Sequence, residues 1–475
     1  MQNNSKLYPK IFSNQSIAAY VIALVAVSAY FSARAMALQF ILFGFFEVIG
    51  FFYFSQQISG KWMLYSDKKF EKQLFRTSLI LRLVWVVFAW FYFQWMTGDV
   101  YEFDASDSMN YHSKAEWIID MFRTNNLKEY RKFLTEETDD AGYASYLALV
   151  YALTNSSIFI ARVLKAVWGA LTVLLIYRLA NRHFGAEIAR TAGVLCMCMP
   201  NLIYYCGLHL KETEMVFLCV LFVERADQMM LSRKFTTWEV VPILLIAASL
   251  FTLRTPLGIV AILSLVFTIV MSSTRVVSWG KRIAVGALAG VLVVTMMGNR
   301  IEEQSRELYN QVVGGAQQTN MEWRAKRENG NEFAKYASAA VFAPLIFTIP
   351  FPTMVDTPNQ DNQRMIHGGN FVKNVLSYFV ILAVIMIILS GDWRNHMLPF
   401  SFMLGYLAVL VFSHFAQSER FHMPALPFEL MFAVYGMMVA RTKPRFKRLY
   451  LFWCAIMVVA CVAWSWFKLA GRGMA

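Results

Sequence analysis

The chain has 475 residues, 57% of them hydrophobic and only 16% charged, with 40 Phe, 26 Met and 13 Trp. A soluble core of this length cannot bury so much apolar surface; bilayer-spanning helices can, at about 20 mostly apolar residues each. The formal charge of +13 does not point to nucleic acid, because its basic residues lie in short loops between apolar runs and not on one patch.

Apolar runs lie near 17–33, 38–57, 77–97, 159–180, 188–206, 213–231, 239–253, 256–273, 282–298, 371–390, 397–415, 424–440 and 450–468. The sequence therefore predicts an all-α, polytopic transmembrane helix bundle of about 11–13 spans. A shorter apolar piece, 338–350, reads as dipping into the membrane without crossing. The leading segment "MQNNSKLYPKIFSNQS" has no small-residue cleavage site after a short apolar core, so the first run reads as a retained span. Cys196, Cys198, Cys206, Cys219, Cys454 and Cys461 all sit in or beside apolar runs, at spacings that suggest neither a metal cage nor a disulfide framework.

Lys and Arg set the orientation. The loop "KWMLYSDKKFEKQLFR" (61–76) is strongly basic and is assigned to the cytoplasm. Alternation then places 177–190, 224–234, 273–282, 391–396 and 441–448 on the same side, and each carries Arg or Lys. The opposite, extracytoplasmic side receives the long loop 98–158, the turns 204–214 and 253–256, the segment 299–370 and the loop 415–424. Within 98–158, Ala115, Ile118, Ile119 and Phe122 recur at helical spacing, which predicts an interfacial amphipathic helix starting just after Asp107. Segment 299–336 reads as helix, Gly-rich loop, helix, and 350–370 as irregular loop.

Polar chemistry collects on that outer side. Asp99, Glu102, Asp104 and Asp107 fall within one short stretch, followed by Tyr111 and His112. Lys211 and Glu212 stand at the mouth of a span pair, Arg254 stands between two apolar runs with Pro256 after it, and Glu419 and Arg420 stand at another span entrance. Ionisable groups at such depth are expensive and usually face a cavity or a partner. Three cations on one face suit a phosphate, Arg by a fork and Lys as a point charge. The competing structural roles are snorkelling to headgroups for the cations, a helix N-cap for Asp107, and solvated loop for Asp104 and Glu102. His112 reads as an interfacial group or hydrogen-bond partner, since no second His lies at ligand spacing in its loop. Asp139 and Asp140 read as a turn before the next span.

Three segments carry a family resemblance: "DSMNYHSKA" (107–115), the stretch 161–212 with its "YRLANRHFG" turn, and "ERFHMPALPFELMFAVYG" (419–436); "LRTPLGIV" (253–260) adds an Arg-x-Pro turn. Together the chain resembles the GT-C superfamily of polytopic glycosyltransferases, in the branch of protein mannosyltransferases and aminoarabinose transferases. It departs from that pattern in having two spans before the one that precedes the first large outer loop, in carrying Ser108 where an acid is common, and in lacking a second strong Asp motif.

The resemblance implies a multi-pass enzyme of the bacterial inner membrane, its site facing outside, that moves a sugar from a polyprenyl-phosphate donor to a lipid, glycan or protein acceptor. Its partners would be these substrates and membrane lipids, with no nucleic acid. On that reading Asp107 is the general base, with Asp104 as runner-up or orienting partner. Arg254, Arg420 and Lys211 hold the donor phosphate, supported by Tyr111, His112, Glu212 and Glu419. The resemblance implies inversion; a retaining route would need Asp104 or Glu102 as nucleophile. The resemblance assigns no certain cofactor, and a divalent metal is left open. Trp323, Phe351 and His367 are available to an acceptor sugar. The chain divides into an N-terminal hairpin (1–60), a GT-C-like core (61–298) with catalytic loop 98–158, an extracytoplasmic segment (299–370) and C-terminal helices (371–475). The alternatives are a surface-polysaccharide polymerase or ligase, and a lipid-linked sugar transporter or flippase; a transporter would show internal repeats and broken helices near mid-membrane, and neither is evident in the sequence.

Overall fold

A backbone in hydrocarbon has no water to bond, so it must satisfy its own N–H and C=O groups, and apolar runs become helices. The structure, a computed structural model, describes residues 10–232, 236–271, 339–413, 416–470 and 474. In chain order the helices are α1 (Lys10–Tyr30), α2 (Leu38–Ile49), α3 (Ser55–Trp62), α4 (Asp67–Thr97), α5 (Ser106–Arg123), α6 (Leu127–Glu136) and α7 (Thr138–Thr154). Then come α8 (Ile158–Phe184), α9 (Ala186–Cys198), α10 (Pro200–Tyr204), α11 (Glu212–Ser232), α12 (Thr237–Leu253) and α13 (Thr255–Met271). The C-terminal part holds α14 (Ala339–Leu345), α15 (Asp361–Met365), α16 (His367–Leu389), α17 (Met397–Phe412), α18 (Glu419–His422), α19 (Leu426–Thr442) and α20 (Pro444–Ala470). The described residues hold no strand, only an isolated bridge between Ala35 and Val355.

The all-α membrane bundle expected from the sequence is what forms. Among the described residues six helices are long and apolar enough to cross a membrane: α1, the continuous Leu38–Trp62 rod, α4, α8, α16 and α20; α12, α13 and α17 are shorter but apolar. The expected span at 282–298 and the polar stretch 299–336, with Trp323, lie outside the described residues. Helix α4 shows how such helices differ from soluble ones. Leu74, Ser78, Arg82, Val86, Ala89 and Phe93 form its buried stripe at helical spacing. Its other face is equally apolar, with Ile80, Val84, Phe91 and Trp95 exposed where lipid tails would lie. Helix α8 is central, packed by α4, α7, α9, α11 and α19, while α1 lies on α20 and α2 on α16.

The 188–206 run is not one continuous span. Helix α9 stops at Cys198, Met199 turns extended at ψ 116°, and α10 restarts at Pro200. Proline has no N–H for the carbonyl four residues back, so the break follows from the sequence. Arg82 of α4 reaches the freed carbonyls, donating to Met197 O at 3.4 Å and Cys196 O at 3.5 Å, and to Ser78 Oγ at 2.6 Å.

Other boundaries also moved. Helix α16 starts at His367, earlier than the expected 371, because the Glu47 carboxylate of α2 accepts the Gly369 N–H at 3.0 Å and so caps its first turn. Residues 361–365, expected as irregular loop, form the short α15. The buried face of α5 is Ser108, Tyr111, Ala115 and Ile118, while Phe122 is exposed. Helix α4 ends on Gly98 at φ +78°, a left-handed C-terminal stop that suits glycine and aims the chain into the 98–105 loop.

Candidate active site

Asp107 occupies the first turn of α5 but does not cap it: the cap is Ala105, with no side-chain bond. Its carboxylate goes instead to Arg420 of α18, whose Nη1 donates to Oδ2 at 2.6 Å. Arg420 Nε also lies 3.7 Å from Glu212 Oε1, at the start of α11. One guanidinium thus faces carboxylates from two distant parts of the chain. Burial works against its charge, but Glu212 and Asp107 outweigh it and raise its pKa above the ordinary value.

Phe421 gathers a second cation. The Arg254 guanidinium lies 4.1 Å from its ring centroid and that of Arg420 lies 5.1 Å away. Arg254 follows α12 in extended conformation, and its Nη1 is buried without a hydrogen-bond partner. Glu212 Oε2 is buried and unpartnered as well. The other oxygen-bearing neighbour, Glu419, lies 3.5 Å from Tyr205 Oη, and burial raises its pKa.

Lys211 comes to the same end of the bundle but is engaged differently. Its ammonium donates to Asp140 Oδ1 at 2.6 Å, Leu253 O at 2.7 Å and Asp139 O at 2.8 Å, which uses its three protons. Tyr111 Oη also donates to Asp140 Oδ1, at 2.9 Å. Asp139 accepts the Thr255 N–H at 2.9 Å and the Thr255 hydroxyl, capping α13 from α7. So Asp139 and Asp140 do not form a turn before the next span. They open helix α7 and tie it to the turn before α11 and to the α12–α13 junction that carries Arg254. Their signal in the sequence was the cation at Lys211, which needed an acidic partner at that depth.

The remaining expected residues scatter around this cluster. Asp104 is exposed, at φ +51°, and makes no hydrogen bond or ion pair among the described residues. His112 is a hydrogen-bond partner, its Nδ1 2.8 Å from Tyr151 Oη, which in turn lies 3.0 Å from His209 Nε2. Glu102 is buried, taking the Ser108 hydroxyl and the His209 N–H, with Arg162 Nη2 3.8 Å away. His367 is fully buried and bonded to Tyr20 Oη at 2.9 Å, so it does not face an acceptor. Phe351 packs near Trp464. Tyr151, His209 and Arg162 were not anticipated; each sits inside a helical or loop stretch whose polarity is local and whose partner is remote.

Among the described residues no group of three or more His, Cys, Asp and Glu side chains is arranged to hold a metal. In the free protein the two nearest carboxylates, Asp107 and Glu212, both face the Arg420 guanidinium.

An all-α membrane bundle with cations and carboxylates convergent at one end is the architecture the GT-C resemblance implies. Residues 142–297, about a third of the chain, match the family described as dolichyl-phosphate-mannose-protein mannosyltransferase, and the protein is a membrane glycosyltransferase of the GT-C type. The matched stretch runs from α7 through the Lys211–Glu212 turn and Arg254. The likeness at 107–115 and 419–436 falls outside it. No curated protein and no solved structure matches the chain.

Proposed function

We propose that the protein transfers a sugar from a polyprenyl-phosphate-linked donor to an envelope acceptor on the extracytoplasmic face of the bacterial inner membrane, with Asp107 as general base. The observation that carries this reading is the 2.6 Å contact between Asp107 and Arg420, with Arg254 beside the same aromatic ring. A proton acceptor and two cations then lie within one small site.

The acceptor hydroxyl attacks the anomeric carbon as Asp107 takes its proton. The bond from that carbon to the phosphate oxygen breaks, and its electron pair leaves with the lipid phosphate. Arg420 and Arg254 meet that charge, Arg254 with a buried nitrogen that has no partner in the free protein. Arg420 serves both halves of the reaction. Held by Asp107 in the free protein, it turns to the donor phosphate when this arrives and leaves the carboxylate available. Lys211, with its protons committed, lends charge from behind and fixes the turn that carries Glu212. Direct displacement inverts the anomeric centre. Glu102 is occupied by Ser108 and His209 and Asp104 is turned to solvent, so neither is placed as a nucleophile for retention.

The broken helix at Pro200 is a feature a transporter would share. Its Arg82, however, is closed off by the carbonyls it caps. The test is transfer of labelled sugar from a polyprenyl-phosphate donor by detergent-purified protein. Asp107→Asn is expected to lower kcat by about 10²–10⁴-fold with expression intact, and Arg420→Ala to weaken donor binding. Full activity in the first variant removes the base assignment; unchanged donor affinity in the second leaves Arg420 as a structural partner of Asp107 and Glu212 and not a donor ligand. Movement of lipid-linked sugar across vesicles without a glycosidic product would favour transport.

A further inference from the structure

We infer that Glu102 is a positioning residue whose two carboxylate oxygens hold the base and the charged turn in register; the catalytic part of this rests on the reading above. Glu102 is 3% exposed and touches three segments. One oxygen accepts the hydroxyl of Ser108, the neighbour of Asp107 at the start of α5. The other accepts the backbone N–H of His209 at 3.4 Å, two residues before Lys211 and three before Glu212. Arg162, fully buried near the start of α8, lies 3.8 Å from that second oxygen and has no other carboxylate within ion-pair distance among the described residues.

The chemistry selects a carboxylate side chain over an amide at this position. Two separate donors converge on it, so both oxygens must accept. An amide has one acceptor oxygen and would present an NH₂ group to the second donor. A neutral side chain would also leave the Arg162 charge buried without its partner. The link is specific to the site because its two arms end beside Asp107 and beside Lys211–Glu212. The distance between the base and the cations thus depends on a residue that touches no substrate. A loosened clamp therefore changes the rate of the chemical step, since small misplacements of reacting groups cost rate steeply.

The experiment compares wild type, Glu102→Gln and Ser108→Ala. It measures transfer kinetics over pH and amide hydrogen exchange of the substrate-free protein in detergent. Ser108→Ala keeps the Glu102–Arg162 pair and cuts only the arm to α5, so it remains informative should Glu102→Gln not fold. The expected result for Ser108→Ala is a kcat lower by about tenfold, a donor KM within about threefold of wild type, and an unmoved acid limb of the pH–rate profile. Exchange should quicken in 103–110 for Ser108→Ala, and in both 103–110 and 206–213 for Glu102→Gln. A kcat within about twofold of wild type in a folded variant would overturn the proposal. So would loss of the acid limb in Glu102→Gln, which would make Glu102 the base. If wild type transfers nothing, the functional reading fails, and the exchange measurement alone decides the clamp: unchanged exchange in both segments overturns it.

Discussion

Asp107 and Arg420 are 313 positions apart, yet they form a 2.6 Å ion pair. That contact excludes the two bland roles each residue could have had. Asp107 is not the cap of α5, and Arg420 is not reaching out to headgroups. The Lys211–Asp140 pair answers a different need, since it joins three segments and has no free proton for a ligand. Burial works to raise the Asp140 pKa, but Lys211 and the Tyr111 hydroxyl outweigh it and hold it below the usual carboxylate range. A carboxylate whose folded pKa is depressed stabilises the fold while it is charged. That contribution is complete above the unfolded value and is lost as pH falls through the folded one. The melting temperature of the wild type in detergent should therefore fall as pH drops below about 4. Asp140→Asn should melt lower at neutral pH and show a shallower decline in that acid range. Equal acid slopes in the two proteins would remove this pair from the account of stability.

At the scale of elements, the interrupted α9–α10 rod has the most consequence for the site, because the chain leaving it forms the turn with Lys211 and Glu212. Arg82 substitutes for the N–H groups that the break at Pro200 takes from the Cys196 and Met197 carbonyls, and its fit depends on a glycine across the interface. A Cβ on Gly169 of α8 would lie 2.6 Å from Arg82 Nε and 2.8 Å from its Cδ. In an unconstrained helix, Gly→Ala stabilises by about 1 kcal/mol. Here the sign should reverse, with Gly169→Ala lowering stability by about 1–3 kcal/mol as Arg82 is forced off its carbonyls. Thermal melting of the purified variant decides it. A melting temperature at or above wild type would show that Arg82 has somewhere else to go.

For the whole molecule, hydropathy and the distribution of Lys and Arg carry the outline. The described runs became helices close to where they were read, and Arg254, Arg420, Lys211, Glu212 and Asp107 came together at one end. What periodicity does not carry is pairing between helices. Asp140 with Lys211, Glu47 on the first turn of α16, and Arg82 on the Cys196 carbonyl each join residues far apart in sequence. Each partner alone reads as a solvated or lipid-seeking group. The Pro200 break has a sequence mark, a proline inside an apolar run, but apolar character alone continues through it. The side of the membrane is the expectation with most resting on it, since a lipid-linked donor used outside the cytoplasm needs the Asp107 end to face outward. Labelling settles it cleanly because all six native cysteines are buried and should not react with a membrane-impermeant maleimide. Lys128→Cys lies on exposed α6, at the Asp107 end, and Arg394→Cys lies in the loop between α16 and α17, assigned to the opposite side. In intact cells with the outer barrier opened, the first should label and the second should not, until the inner membrane is permeabilised. The reverse pattern would put the carboxylate and its cations in the cytoplasm, where nucleotide sugars are available, and the lipid-linked donor would lose its physical reason.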